Sequence, residues 1–146
     1  MNKINPYLNF DGTCEKAFLF YQTIFGGEFL GKIARLGDAP VSNELSEKDK
    51  DRVMHIALPI GNDLLMGSDI YPNGMHHLIE GNNNIISIFP ESRDEANRIF
   101  ESLAKDGVTL MPLQDTFWGD YYGQLKDKFG IFWMINYSES TTDGNV

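Results

Sequence analysis

Three histidines and one cysteine in 146 residues leave few groups for acid–base, nucleophilic or metal chemistry, so each is weighed by its place. Cys14 opens a helical run, where the helix dipole would lower a thiol pKa, yet it also falls on the apolar stripe of that run, which favours packing over nucleophilic work. His55 lies in VMHIALPI, where alternation puts Val53, His55 and Ala57 on one face and reads as a hydrogen-bonded structural histidine. His76 and His77 are neighbours that point apart in an extended chain, so they suit a surface or interface better than a shared metal, and the nearby Glu80 does not change that. FWGDYYGQ sets Trp118, Asp120, Tyr121 and Tyr122 on or near a hairpin, where Asp120 is a lone carboxylate better suited to a turn than to general-base catalysis. Spacing brings no acid–base pair together.

The elements that must position these residues are legible from periodicity. In TCEKAFLFYQTIFGG, Cys14, Ala17, Phe18, Tyr21, Ile24 and Phe25 recur at helical spacing before a Gly-Gly stop. In SRDEANRIFESLAKDG, Ala96, Ile99, Phe100, Leu103 and Ala104 do the same, with Ser92 and Glu95 as a capping box and Gly107 at the end. The first helix follows PYLNF and precedes EFLGKIARLG, VMHIALPI and DLLMGSD. The second follows NIISIF and precedes VTLMPLQD, DYYGQLKD and IFWMINYS. The order is β-α-β-β-β, twice. An offset of 79 carries Ala17 and Tyr21 onto Ala96 and Phe100, and likewise Phe10 onto Phe89, Tyr7 onto Ile86 and Asn5 onto Asn84, which points to an internal duplication. We therefore expect one domain over 1–137, with a first module at about 4–69, a Gly/Asn/Pro-rich linker at 70–83, a second module at about 84–137 and a frayed tail at 138–146. The charged run 41–52 reads as a solvated excursion, with a lid over a pocket as the sharper alternative.

Composition narrows the function classes. The hydrophobic fraction of 42% and charged fraction of 23% are those of a folded globular protein. A net charge of −9 disfavours nucleic acid and anionic lipid as partners. No apolar segment approaches the roughly 20 residues of a membrane span, and no charged-then-apolar leader opens the sequence, so the expected location is the cytoplasm. The lone cysteine agrees with a reducing compartment.

Tandem βαβββ units, together with PYLNFDGTCEKAFLFYQTIFGGEF, LLMGSD and FWGDYYGQLKDKFGIFWMINYS, resemble the vicinal oxygen chelate superfamily of glyoxalase I, bleomycin-resistance proteins and extradiol dioxygenases. The closer likeness is to its PhnB-like, demethylubiquinone methyltransferase-like branch, over residues 4–137. The resemblance implies an α+β fold in which each module curls into a half-barrel, commonly in a homodimer. The methyltransferase label is set aside, because no Gly-rich loop leads from a strand into a helix and no doubly wound alternation is present. In metal-using members of the superfamily, ligands come from the start of each first strand and from each last strand. By resemblance these places fall on Asn5, Asn84, Met66 and Met134.

Two amides and two thioethers supply no charge to offset a divalent cation's lost hydration, so no metal and no cofactor are expected. Thioethers are more often adaptable apolar lining. The sequence thus points to a metal-free binding protein for a small, partly apolar organic molecule, held in the half-barrel cavity by Asn5, Tyr7, Asn9, Met66, Asn84, Trp118, Asp120, Tyr121 and Met134. The alternatives are a metal-dependent glyoxalase-like lyase or isomerase, or a dioxygenase-like enzyme, and a structural module whose barrel is filled by its own side chains.

Overall fold

The computed structural model describes residues 2–40, 42–72 and 77–139. The chain forms two compact units that divide between Ile79 and Glu80. The first contains β1 (Tyr7–Phe10), α1 (Cys14–Phe25), β2 (Ala34–Arg35), α2 (Glu47–Lys50), β3 (Val53–Ile60) and β4 (Asp63–Asp69). The second contains β5 (Ile86–Ile88), α3 (Arg93–Ala104), β6 (Val108–Asp115), β7 (Asp120–Lys126) and β8 (Phe132–Ser138). Each carries one four-stranded sheet, ordered β1-β4-β3-β2 and β5-β8-β7-β6, so the first strand of each unit lies parallel beside the last and the other pairs are antiparallel. This is the α+β fold of tandem βαβββ modules that the two periodic helices implied.

Each helix buries its expected stripe. Cys14, Ala17, Phe18, Tyr21 and Ile24 of α1 are buried and pack with Val53, Ile56, Leu58 and Leu65, while Ala96, Ile99, Phe100 and Leu103 of α3 pack with Leu125, Trp133 and Ile135. Each large side chain so buried contributes about 1.5–3 kcal/mol of transfer free energy. A strand glycine admits a helix aromatic in both units. A Cβ on Gly67 would stand 2.7 Å from Phe18 Cε1, and one on Gly123 would stand 2.8 Å from Phe100 Cε2. These close approaches seat the helices on one face of each sheet and leave the opposite face open.

The helix starts differ. Ser92 Oγ accepts from Glu95 N at 3.0 Å, the local cap written in the sequence. Thr13 makes no side-chain cap, and the N-terminus of α1 is instead held from the end of β4, where Asp69 Oδ1 accepts from Gly12 N (2.8 Å) and Cys14 N (3.0 Å). Asp69 Oδ2 takes Val53 N at 2.9 Å, so one buried carboxylate ties α1, β3 and β4.

Two expectations are corrected. Of the run Glu28–Gly37, only Ala34–Arg35 pairs as a strand, because Gly31 turns the chain at φ 71° and only Leu30 N reaches β3 before it, at Ala57 O. Within the run 41–52, expected to be an unpatterned excursion, residues 42–52 form a short 3-10 turn and α2, which Ser46 caps through Asp49 N. Arg52 then anchors it to Asp11 (2.9 Å), Asp49 (3.2 Å) and the carbonyl of Ile70 (3.1 Å). Val41 lies outside the described residues, as do His76 and the tail from position 140 onward.

Candidate ligand-binding faces

In the first unit, Tyr7 lies opposite Met66 and Asn9 opposite Ser68 in the parallel β1–β4 pair, and Ala57 of β3 stands opposite Met66 on the other side. Leu65, Gly67 and Asp69 are buried toward α1, so Met66 and Ser68 turn to the open face with Tyr7 and Asn9. Three of the residues expected to share a lining, Tyr7, Asn9 and Met66, are thus brought together. Asn5 is at the margin, where its Oδ1 accepts from Leu64 N at 3.2 Å.

His55 joins this row, and spacing alone did not show how. Val53 was expected beside it, but the β2–β3 register shifts at Ala34/Arg35, and Val53 is buried with its N–H on Asp69. His55 instead faces out and reaches across β4 to Tyr7. Its Nδ1 lies 3.3 Å from Tyr7 Oη, and the rings stack with centroids 5.8 Å apart at 26°. At the end of the row opens a cleft of about 560 Å³, floored by Asn9, Ser68 and Asp69 and walled by Ile70, Tyr71 and residues 77–79. Its volume suits a small organic molecule. His77 is exposed on that wall.

In the second unit, alternation puts Tyr122, Gln124 and Lys126 on the open face with their β8 partners Asn136, Met134 and Phe132. Gln124 Nε2 donates to Tyr122 Oη at 2.6 Å, and the Trp118 ring meets Tyr122 edge-on at 6.1 Å. Asp120 accepts from Trp118 Nε1 at 3.0 Å, which uses one carboxylate oxygen in a turn contact. Met134, Trp118 and Asp120 therefore gather on or beside this face. Tyr121 does not. Its hydroxyl donates to Asn97 of α3 at 2.5 Å, and the Arg93 guanidinium lies 4.2 Å over its ring, because adjacent strand residues point to opposite faces.

Asn84 is also displaced. Ser87, not Ile86, stands opposite Met134 as Tyr7 stands opposite Met66, so the first strands correspond at an offset of 80 and Ile85 is the counterpart of Asn5. Asn84 is exposed just ahead of β5 and donates to Asn83 Oδ1 at 3.1 Å. The four places implied for a metal are therefore Asn5, Ile85, Met66 and Met134, with the Asn5 oxygen already engaged. Among the described residues no three His, Cys, Asp or Glu side chains cluster as metal ligands. This donor set does not fit a divalent cation.

Cys14 has no nucleophilic prospect. It is fully buried, and burial, followed by the nearby carboxylates of Asp69 and Glu15, pushes its thiol far above the ordinary range.

Paired βαβββ units, each closing its sheet with first strand beside last, place the molecule in the vicinal oxygen chelate class. Within it, the chain belongs to the PhnB-like family described as 3-demethylubiquinone-9 3-methyltransferase, whose model matches residues 2–136. It is similar to the protein YjdN of Escherichia coli (strain K12), at 32% identity over 141 residues covering 91% of this chain and 93% of that one. The crystal structure of protein PA1353 from Pseudomonas aeruginosa is 38% identical with a TM-score of 0.81, over 94% of this chain and 98% of that one. The fosfomycin resistance protein FosX from Listeria monocytogenes, at 14% identity and TM-score 0.64 over 100% of this chain and 98% of that one, shares the fold alone.

Proposed function

We propose that the protein binds a small, partly apolar organic molecule on its open sheet faces without a metal ion, the principal site being the first-sheet row of Tyr7, Asn9, His55, Met66 and Ser68. The observation that carries this reading is the cleft of about 560 Å³ that continues the row at Asn9 and Ser68. Thioether and aromatic surface offers dispersion and apolar burial, while the phenol, imidazole and amide fix orientation. Trp118, Tyr122 and Met134 give the second sheet a similar mixture.

Glyoxalase-like metal chemistry is the less favoured reading because the donor set would leave a cation's charge unbalanced. Methyl transfer, which the family description names, finds no support in two mixed four-stranded sheets, since the doubly wound parallel sheet that binds nucleotide cofactors is a different topology. The reading includes a cytoplasmic homodimer. Among the described residues no helix is long and apolar enough to cross a membrane.

A thermal-shift screen tests the proposal. A true ligand at a hundred times its Kd stabilises the native state by about 2.7 kcal/mol, or roughly 5–10 °C in a chain of this size. Met66→Arg, which sets a long cation across the row, is expected to weaken that ligand at least tenfold. Unchanged affinity in that variant would remove the first sheet from consideration.

A further inference from the structure

We infer that the first-sheet row selects a neutral carbonyl compound, whose oxygen accepts hydrogen bonds from His55 Nε2–H and the Asn9 amide, with Tyr7 as the residue that fixes the histidine tautomer. This rests on the first-sheet reading above and names the chemistry of its ligand.

Tyr7 and His55 meet across β4. A phenol is a ready donor, and a neutral imidazole has one ring nitrogen free to accept. Tyr7 Oη lies 3.3 Å from Nδ1, and a phenol donating there leaves the ring proton on Nε2. Stacking of the two rings at 5.8 Å holds the imidazole's orientation. His55 Nε2–H is then a donor on an exposed face. Asn9 adds a second, since its Oδ1 lies 3.4 Å from Ser68 Oγ while its Nδ2 remains available toward the cleft it lines. Two donors on one sheet face, on strands either side of β4, call for an acceptor on the ligand.

The charge of that acceptor follows from its surroundings. Tyr7, Asn9, His55, Ala57, Met66 and Ser68 include no carboxylate and no lysine or arginine. The charged side chains about the cleft are Asp69, whose two oxygens are given to the N–H groups of Gly12, Cys14 and Val53, and Arg52, which donates to the Ile70 carbonyl and is itself paired with Asp11 and Asp49, while His77 stands on the wall. Three carboxylates against one guanidinium disfavour a carboxylate or phosphate but not a ketone, aldehyde or amide. Met66 and Leu78 then favour an apolar body behind the carbonyl.

The test compares three probes of similar shape by NMR titration of the intact protein: acetophenone, ethylbenzene and benzoate. Ethylbenzene is the more apolar, so burial alone would rank it first. The expected order has acetophenone about tenfold tighter than ethylbenzene, a difference of about 1.4 kcal/mol, with benzoate weakest. His55→Phe keeps a stacked ring on an exposed face and is expected to abolish the preference for the carbonyl. Tyr7→Phe is expected to reduce it about threefold, and to add nothing further in the His55→Phe background, because Tyr7 acts through the histidine. Long-range proton–nitrogen correlation reads the tautomer without any ligand. Wild type is expected to show the Nε2–H form at His55, and Tyr7→Phe a mixture.

An Nδ1–H tautomer in wild type, or a carbonyl preference that survives His55→Phe, would overturn the inference. If probes perturb the first-sheet row without regard to the carbonyl, the small-molecule reading stands and this assignment falls. If no probe perturbs the row, both fall.

Discussion

Asp69 is the residue on which the first unit's geometry most depends, and its replacement gives a sharp expectation. Its carboxylate takes three backbone N–H groups at 2.8, 3.0 and 2.9 Å, from Gly12, Cys14 and Val53. Gly12 is exposed and can turn to water on substitution, whereas Cys14 and Val53 are buried at 0% and 1% exposure and their N–H groups have no other acceptor. Each buried N–H left without a partner costs about 1–3 kcal/mol, so Asp69→Ala is expected to lose about 3–5 kcal/mol, a large share of a typical stability of roughly 5–15 kcal/mol. Asp69→Asn keeps an acceptor for the α1 terminus but turns an NH₂ toward Val53 N–H, and about 2 kcal/mol is expected. Urea unfolding followed by circular dichroism measures both, and amide exchange at Cys14 and Val53 should quicken together. A loss below about 1 kcal/mol for Asp69→Ala would refute the staple. It would also free the carboxylate at the cleft for a chemical role, which the three-donor clamp denies it.

Two further outcomes follow from the core. The Cys14 thiol is held neutral in the native state by a raised pKa, while the unfolded thiol ionises above roughly pH 8.5, so the unfolded state binds fewer protons there and stability falls with rising pH by about 1.4 kcal/mol per unit. That slope should be absent in Cys14→Ala, so the stability difference between wild type and the variant should carry it, and native protein at pH 8 should resist alkylation until denaturant is added. Gly67→Ala would drive a methyl to 2.7 Å from Phe18 Cε1 and 2.8 Å from Leu8 O, and a loss of about 1–3 kcal/mol is expected in thermal unfolding, against near-neutrality for Ser68→Ala on the open face.

The elements that were legible are those whose signal is local. The α1 and α3 stripes are written at helical spacing, and the Ser92 cap stands next to its helix. What sequence spacing could not show depends on partners far along the chain. Asp69 caps a helix that begins 55 residues before it, and His55 meets Tyr7 only because β4 inserts between β1 and β3. The fold's strand order, not any motif, creates both contacts.

The second unit shows how much rests on one residue of register. A repeat offset of 79 aligns the two helices, where Ala17 and Ala96 are both buried, but in the first strands the exposure pattern repeats at 80: Phe10 and Pro90 are buried, and Asn9 and Phe89 are exposed. The second unit therefore uses one residue fewer between first strand and helix. A strand slipped by one position presents its other face, so the change replaces an amide, Asn84, by the apolar Ile85 at the place where metal-using relatives are expected to hold a ligand. Two thioethers and a single, already engaged amide oxygen then stand across the four places. On the proposed reading, a ligand oxygen at the first-sheet row is polarised by the N–H donors of His55 and Asn9.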